Sequence, residues 1–144
     1  MMGDRAMVPE KTGLNCMARK LTQLMTAIYD EELAKSNLKT TQYSLLCHVH
    51  NYGPVLSTEI AKLMGIEQMK VSRNLRQLLC KGWITQSDDS DVCQRFLTIT
   101  PDGSDKKDEA EQYWLIAQKK IKYLTGLELY TVLDLILVTC IEKI

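Results

Sequence analysis

Long apolar runs are missing from this 144-residue chain. No segment approaches the ~18–20 consecutive apolar residues that would span a bilayer, so no membrane partner is expected. The opening stretch MMGDRAMVPEKTG also lacks an apolar export core, and a cytoplasmic location is the expectation. Cysteine is sparse and unpaired in pattern: Cys16, Cys47, Cys80, Cys93 and Cys140 make an odd count with no CxxC spacing. That argues against a disulfide framework and leaves burial as small apolar side chains as the ordinary role. His48 and His50 are the only histidines, and two apart on a helix they point to different faces. Cys47 and His50 share a face, but two ligands do not make a zinc site, so no metal is expected. The chain shows no Ser/His/Asp set, no paired carboxylates at a defined spacing and no Gly-rich phosphate loop, which argues against an enzyme and implies no cofactor. Internal repeats, low-complexity tracts and inter-domain linkers are absent too.

What is present is the balance of a globular protein. Hydrophobic residues make up 45% and charged residues 25%, and one domain over residues 1–144 can bury its own core. From Leu14, apolar residues recur at Met17, Leu21, Leu24 and Ile28, a heptad seam suited to packing along another helix. Gly13 and Ser36-Asn37 bound this first helix. A second runs from about Thr41 to Asn51 and stops at NYGP. A third covers Ser57 to Met64, with Ser57 as the N-cap. Gly65 turns the chain into a fourth, which reaches Lys81 before Gly82 takes a left-handed cap. WITQS and QRFLTIT then form a short β-hairpin around the polar tip DDSDVC. Thr100-Pro101 opens a long helix to about Leu124, with Ala110, Trp114, Ala117, Ile121 and Leu124 at heptad spacing. Gly126 breaks it, and the last helix carries a wide apolar stripe from Leu129 through Ile144. That stripe and the seam of the first helix lead to a homodimer in which the chain's two ends meet each other and a second subunit. The alternative is that both ends cover a monomeric core.

The central stretch has helix-turn-helix spacing. Ala61, Gly65 and Val71 fall four, eight and fourteen residues after Ser57, placing a small residue at the helix crossing, glycine in the tight turn and a branched side chain to pin the second helix. The fourth helix would bury Val71, Leu75 and Leu78 and turn Gln68, Met69, Lys70, Ser72, Arg73 and Arg76 outward. Overall charge is zero, with 18 Lys/Arg against 18 Asp/Glu, yet residues 62–95 carry six basic and four acidic groups while residues 123–144 carry one and three. The neutrality is an average over a polar molecule. A helix with two arginines, a lysine, a glutamine and a serine on its outer face has what the DNA major groove asks for: Arg forks to guanine, Gln to adenine, and Ser or Lys holds phosphate.

The segments LKTTQYSLLCHVHNYGP, EIAKLMGIEQMKVSRNLRQLLCKGWI and LTITPDG, in the order helix, helix-turn-helix, hairpin and two helices, resemble the MarR family of winged-helix transcriptional regulators. The likeness runs from about Leu14 to Ile144. It implies a mainly α fold with a small β-hairpin wing. A winged helix-turn-helix lobe at about 41–100 would be flanked by dimerisation helices at about 14–38 and 102–144. It further implies a dimer that binds double-stranded operator DNA, represses promoters and lets go when a small ligand or an oxidant acts. Family wings usually carry Asp-x-Arg. Here Asp91 is kept, Cys93 stands at the arginine position, and Arg95, two residues on, on the same face of the strand and nearer the hairpin's base, is the candidate to replace the contact. Asp88 and Asp89 at the tip would repel phosphates. A second function of a different class is a winged helix used only as a protein-interaction module, which the acidic wing permits.

Two control sites are open to sequence reasoning. Cys16 lies near the place where a peroxide-sensing branch of the family keeps a cysteine, and Cys93 would sit on the wing, so these two are the redox candidates, with simple packing as the alternative. The resemblance also implies an effector cleft between the dimer helices and the DNA-binding lobe. Tyr29, Tyr43, His48 and Tyr113 are its candidates, suited to a small aromatic or phenolic effector.

Overall fold

The computed structural model describes residues 13–87 and 95–144. Its elements run α1 (Gly13–Leu33), a single 3-10 turn (Ala34–Ser36), α2 (Thr40–Tyr52), β1 (Val55–Leu56), α3 (Ser57–Met64), α4 (Gln68–Cys80), β2 (Ile84–Gln86), β3 (Phe96–Ile99), α5 (Pro101–Thr125) and α6 (Leu129–Lys143). The hairpin tip, with Asp88, Asp89, Asp91 and Cys93, lies outside the described residues.

The turn chemistry explains most boundaries. α3 closes with Gly65 at φ 64°, its N–H on Lys62 O and the Ile66 N–H on Ala61 O, the paired bonds of a Schellman cap. α4 closes the same way: Gly82 sits at φ 74°, and the N–H groups of Gly82 and Trp83 reach Leu79 O and Leu78 O. A side chain at either glycine would have to adopt the left-handed region that L residues avoid. The start of α2 is held from a distance. Asp30 of α1 accepts from the Thr40 N–H at 2.8 Å and from the Thr40 hydroxyl at 2.6 Å, which places a carboxylate at the positive end of the helix.

Two expectations need correction. The β-structure is a three-stranded antiparallel sheet of order β1-β3-β2 rather than a two-stranded hairpin, with Val55 opposite Leu97 and Ile84 opposite Ile99. β1 is two residues long, too short for alternation to register in the sequence. Because Val55 and Leu56 are extended in that sheet, Ser57 is already the first helical residue of α3 and not its N-cap. Glu59 accepts from the Leu56 N–H at 3.3 Å in its place, and the Ser57 hydroxyl accepts from Gln68.

The core collects Leu33, Leu45, Leu46 and Val49 from α1 and α2, Ile60 from α3, Val71, Leu75 and Leu78 from α4, and Ile84 and Leu97 from the sheet. Burial of each such aliphatic side chain contributes roughly 1.5–3 kcal/mol. Exposed ion pairs contribute ~0–1 kcal/mol, so the apolar inner face of α4 supplies most of what holds it in place.

The base of the wing is clamped to the start of α5. Thr100 caps α5 by accepting from the Gly103 N–H at 3.0 Å, while its hydroxyl donates to Gly82 O at 2.7 Å and its N–H to Trp83 O at 3.0 Å. Gly103 is buried here, and a Cβ on it would fall 1.9 Å from the Trp83 carbonyl oxygen.

α5 runs back along α1, burying Ala110, Ala117 and Ile121. Glu32, buried at their junction, accepts from Lys120 of α5 and from Lys35 at 2.8 Å. Lys120 first and Lys35 second hold its carboxyl below the ordinary glutamate range, and Glu32 in turn raises Lys120. α6 leaves α5 at 88° and buries none of its residues, so among the described residues it covers no core of its own chain. Among the described residues no single helix is long and apolar enough to cross a membrane.

Gly103→Ala should destabilise the fold by about 2 kcal/mol, because the clash is with backbone rather than with a flexible side chain. A melting curve should show a midpoint roughly 4–8 °C lower. Glu32 contributes stability above its unfolded-state pKa and loses it as pH falls through its lowered folded value. Acidification below the ordinary glutamate range should therefore lower the wild-type melting midpoint more steeply than that of Glu32→Gln.

Candidate nucleic-acid interface

The inner face of α4 buries Val71, Leu75 and Leu78, so the 3.6-residue period turns the intervening positions outward. Gln68, Met69, Lys70, Arg73 and Arg76 are exposed and Ser72 is half-buried. Met69 is 77% exposed, an apolar side chain of the kind that contacts a thymine methyl group. Among the described residues, Lys70, Arg73 and Arg76 have no acidic partner. Asn74 donates to Lys70 O at 2.8 Å, and Gln77 accepts from Gln42 of α2 at 2.6 Å, tying the far side of the helix to the lobe.

A groove of about 410 Å³ separates α4 from the wing. Ser57 and Thr58 at the start of α3, Ser72 and Arg76 on α4, and Gln86 and Arg95 at the foot of the wing line it, over a floor that includes Leu75 and Leu97. Arg95 is exposed immediately before β3, so two guanidinium groups from different elements face one concave wall. Guanidinium forks and hydroxyls are donors suited to phosphate oxygens, and among the described residues no carboxylate lines the groove. Ser57, Thr58 and Gln86 were not singled out by sequence reasoning. Their signal is tertiary, since the strand of β1 brings the start of α3 beside α4.

A second cavity, of about 490 Å³, opens between α1, α2 and α5. Tyr29 and Tyr43 line it, and their rings lie 6.4 and 6.2 Å from that of Trp114. Burial raises both phenol pKa values, so both hydroxyls stay protonated. Cys47 lines the same space, and burial pushes its thiol pKa up, which makes it a poor nucleophile. Lys107 and Glu111 add one charge of each sign to the wall.

His48 and Tyr113 do not line this cavity. One position beyond Cys47, His48 points elsewhere: its ring stacks on Tyr52 at 6.0 Å and Nδ1 lies 2.7 Å from Ser44 O. Tyr113 precedes Trp114 and meets the Lys35 ammonium, 5.9 Å from its ring centre. The missed residues had a signal in helical spacing. Tyr43, Cys47 and Asn51 recur every four residues on α2, and Lys107, Glu111 and Trp114 follow an i, i+4, i+7 pattern on α5. Cys16 is half-buried on α1, away from both cavities, and Cys93 lies outside the described residues.

Residues 38–91 match the model of the MarR family. The multiple antibiotic resistance protein MarR of Salmonella typhimurium is 27% identical over 85 residues, which are 58% of this chain. The chain thus spans 59% of the length of that curated relative. Among solved structures, the M. tuberculosis transcriptional regulator MosR superposes with a TM-score of 0.77 at 18% identity, over 92% of this chain and 97% of that one. The same regulator in complex with DNA superposes at 0.73 with 20% identity, over 91% and 96%. At such identities the structural likeness is one of fold: a mainly helical chain with a three-stranded winged-helix sheet. The helix-turn-helix spacing, the family model over residues 38–91 and the fold agree: the central segment is similar to the MarR family, and the chain as a whole has the fold of its solved regulators.

Proposed function

We propose that the protein is a dimeric, sequence-specific double-stranded DNA-binding transcriptional regulator of the repressing kind, acting in the cytoplasm and without catalytic activity. α4 enters the major groove, with Arg73 and Arg76 toward guanine edges or phosphate and Lys70 and Ser72 toward the backbone. Arg95, across the groove from Arg76, holds phosphate beside the neighbouring minor groove. The observation that carries this reading is the outer face of α4, where three cationic side chains that have no acidic partner among the described residues stand on a helix whose buried face is Val71, Leu75 and Leu78.

A second copy of the chain is the partner that fits the exposed apolar surface. Leu14 and Leu24 on α1, Tyr123 and Leu124 on α5, and Leu137 and Ile141 on α6 are each at least 60% exposed. Apolar exposure on this scale, on three outer helices, is the mark of an interface. Two-fold pairing would set the two α4 helices about one turn of DNA, roughly 34 Å, apart.

Release of DNA is assigned to the aromatic cavity. Tyr29, Tyr43 and Trp114 supply ring faces, and Lys107 supplies the positive charge that a small aromatic or phenolic anion would pair with. The cavity lies where α1 and α5, the proposed dimer stalk, meet α2 of the lobe. A ligand there would change the angle between stalk and lobe and with it the separation of the two α4 helices.

Arg73→Ala with Arg76→Ala should abolish binding to a selected duplex while leaving melting temperature and dimer size unchanged. Single replacements should each reduce the slope of log affinity against log salt by about 1 if the lost contact is to phosphate. Unaltered affinity in the double variant would reject α4 as the reading element. Leu137→Glu with Ile141→Glu should yield monomers by sedimentation and reduce duplex affinity, because each monomer then reads a single half-site.

A further inference from the structure

Gln68 is the first residue of α4, and its amide is already committed. Nε2 donates to Ser57 Oγ on α3 at 3.1 Å and to Ser72 Oγ, one turn along α4, at 3.3 Å. A primary amide has two N–H donors, so both are used within the protein. The carbonyl Oε1 accepts no bond among the described residues, and the side chain is exposed at the end of the helix that leads into the proposed groove. Each serine hydroxyl, having accepted from Gln68, keeps its own proton to donate outward.

An unclamped glutamine recognises adenine with two bonds, Nε2 donating to N7 and Oε1 accepting from the N6 amino group. With Nε2 occupied, only the second bond is open. The N4 amino group of cytosine offers the same donor. Guanine O6 and thymine O4 set an acceptor against an acceptor.

We propose that the Ser57–Gln68–Ser72 clamp makes Gln68 a one-sided reader, presenting its carbonyl alone, so that it selects an amino-bearing base, adenine or cytosine, over guanine or thymine. The inference rests on the DNA-binding function proposed above and concerns which sequence that function recognises. Ser57 and Ser72 are then specificity-determining through the side chain they orient.

The full chain would be used to select duplexes from a random pool, alongside Gln68→Ala, Gln68→Glu and the double variant Ser57→Ala/Ser72→Ala. Comparison of the wild type with Gln68→Ala locates the base whose preference depends on Gln68. At that position the wild type should retain adenine and cytosine in similar amounts on one strand and deplete guanine and thymine on the order of tenfold. Gln68→Glu, an acceptor only, should keep both amino bases. The double serine variant, with its amide freed, should narrow the choice to adenine; neither serine is fully buried, and melting curves establish that it folds. Adenine alone in the wild type would mean an unclamped amide, and guanine or thymine an amide turned with its N–H groups outward. Either result overturns the proposal, as does an identical preference in the wild type and Gln68→Ala. Failure of the wild type to enrich any duplex would strike the DNA-binding function itself, whereas enrichment of the wrong base leaves that function standing and removes only the clamp.

Discussion

The contact between Gly103 and the Trp83 carbonyl governs the arrangement of the molecule. At this point the end of α4, the base of the wing and the first turn of α5 share one set of hydrogen bonds, made by Thr100 to Gly82, Trp83 and Gly103. A side chain at position 103 would push a backbone carbonyl away, so only glycine lets α5 start this close to the sheet. Everything distal depends on that approach. α5 carries Trp114 into the aromatic cavity and Lys120 to the buried Glu32, and its direction from the wing fixes both positions. The outer face of α4 is therefore rigidly referenced to the long helix that runs along α1.

Much of the fold was legible because its punctuation is local. Gly65, Gly82 and Gly126 adopt left-handed backbone where the sequence suggested helix ends, and Thr100-Pro101 opens α5 as expected. Val71, Leu75 and Leu78 are buried at the positions their spacing indicates. Features set by tertiary pairing escaped. β1 has two residues and no pattern of its own, and it exists because β3 offers a free edge. Its presence moved the cap of α3 by one residue and released the Ser57 hydroxyl for another partner.

The two surfaces differed in how far sequence could reach. One helix supplies most of the α4 face, so its period alone arranges Lys70, Arg73 and Arg76 together. The aromatic cavity draws on three helices, and a choice by residue type took in His48 and Tyr113 while passing over Cys47, Lys107 and Trp114. Adjacent residues on a helix differ by about 100° in direction, so His48 cannot share the direction of Cys47. The Gln68–Ser57 bond spans eleven residues and two elements, beyond any period. On a bare helix, Gln68 would have been read as a two-handed adenine reader.

The 88° turn at Gly126 gives α6 a peculiar thermodynamic status. None of its fifteen residues is buried within the chain and only Leu129 and Leu133 are half-covered, so intrachain folding leaves most of their docking free energy unspent. In the proposed dimer that energy would be realised through association, which would make the docking of this helix a matter of mass action. Dilution of such a dimer would strip it of its cover long before it disturbed Leu45, Leu46 or Ile60, whose enclosure is indifferent to protein concentration.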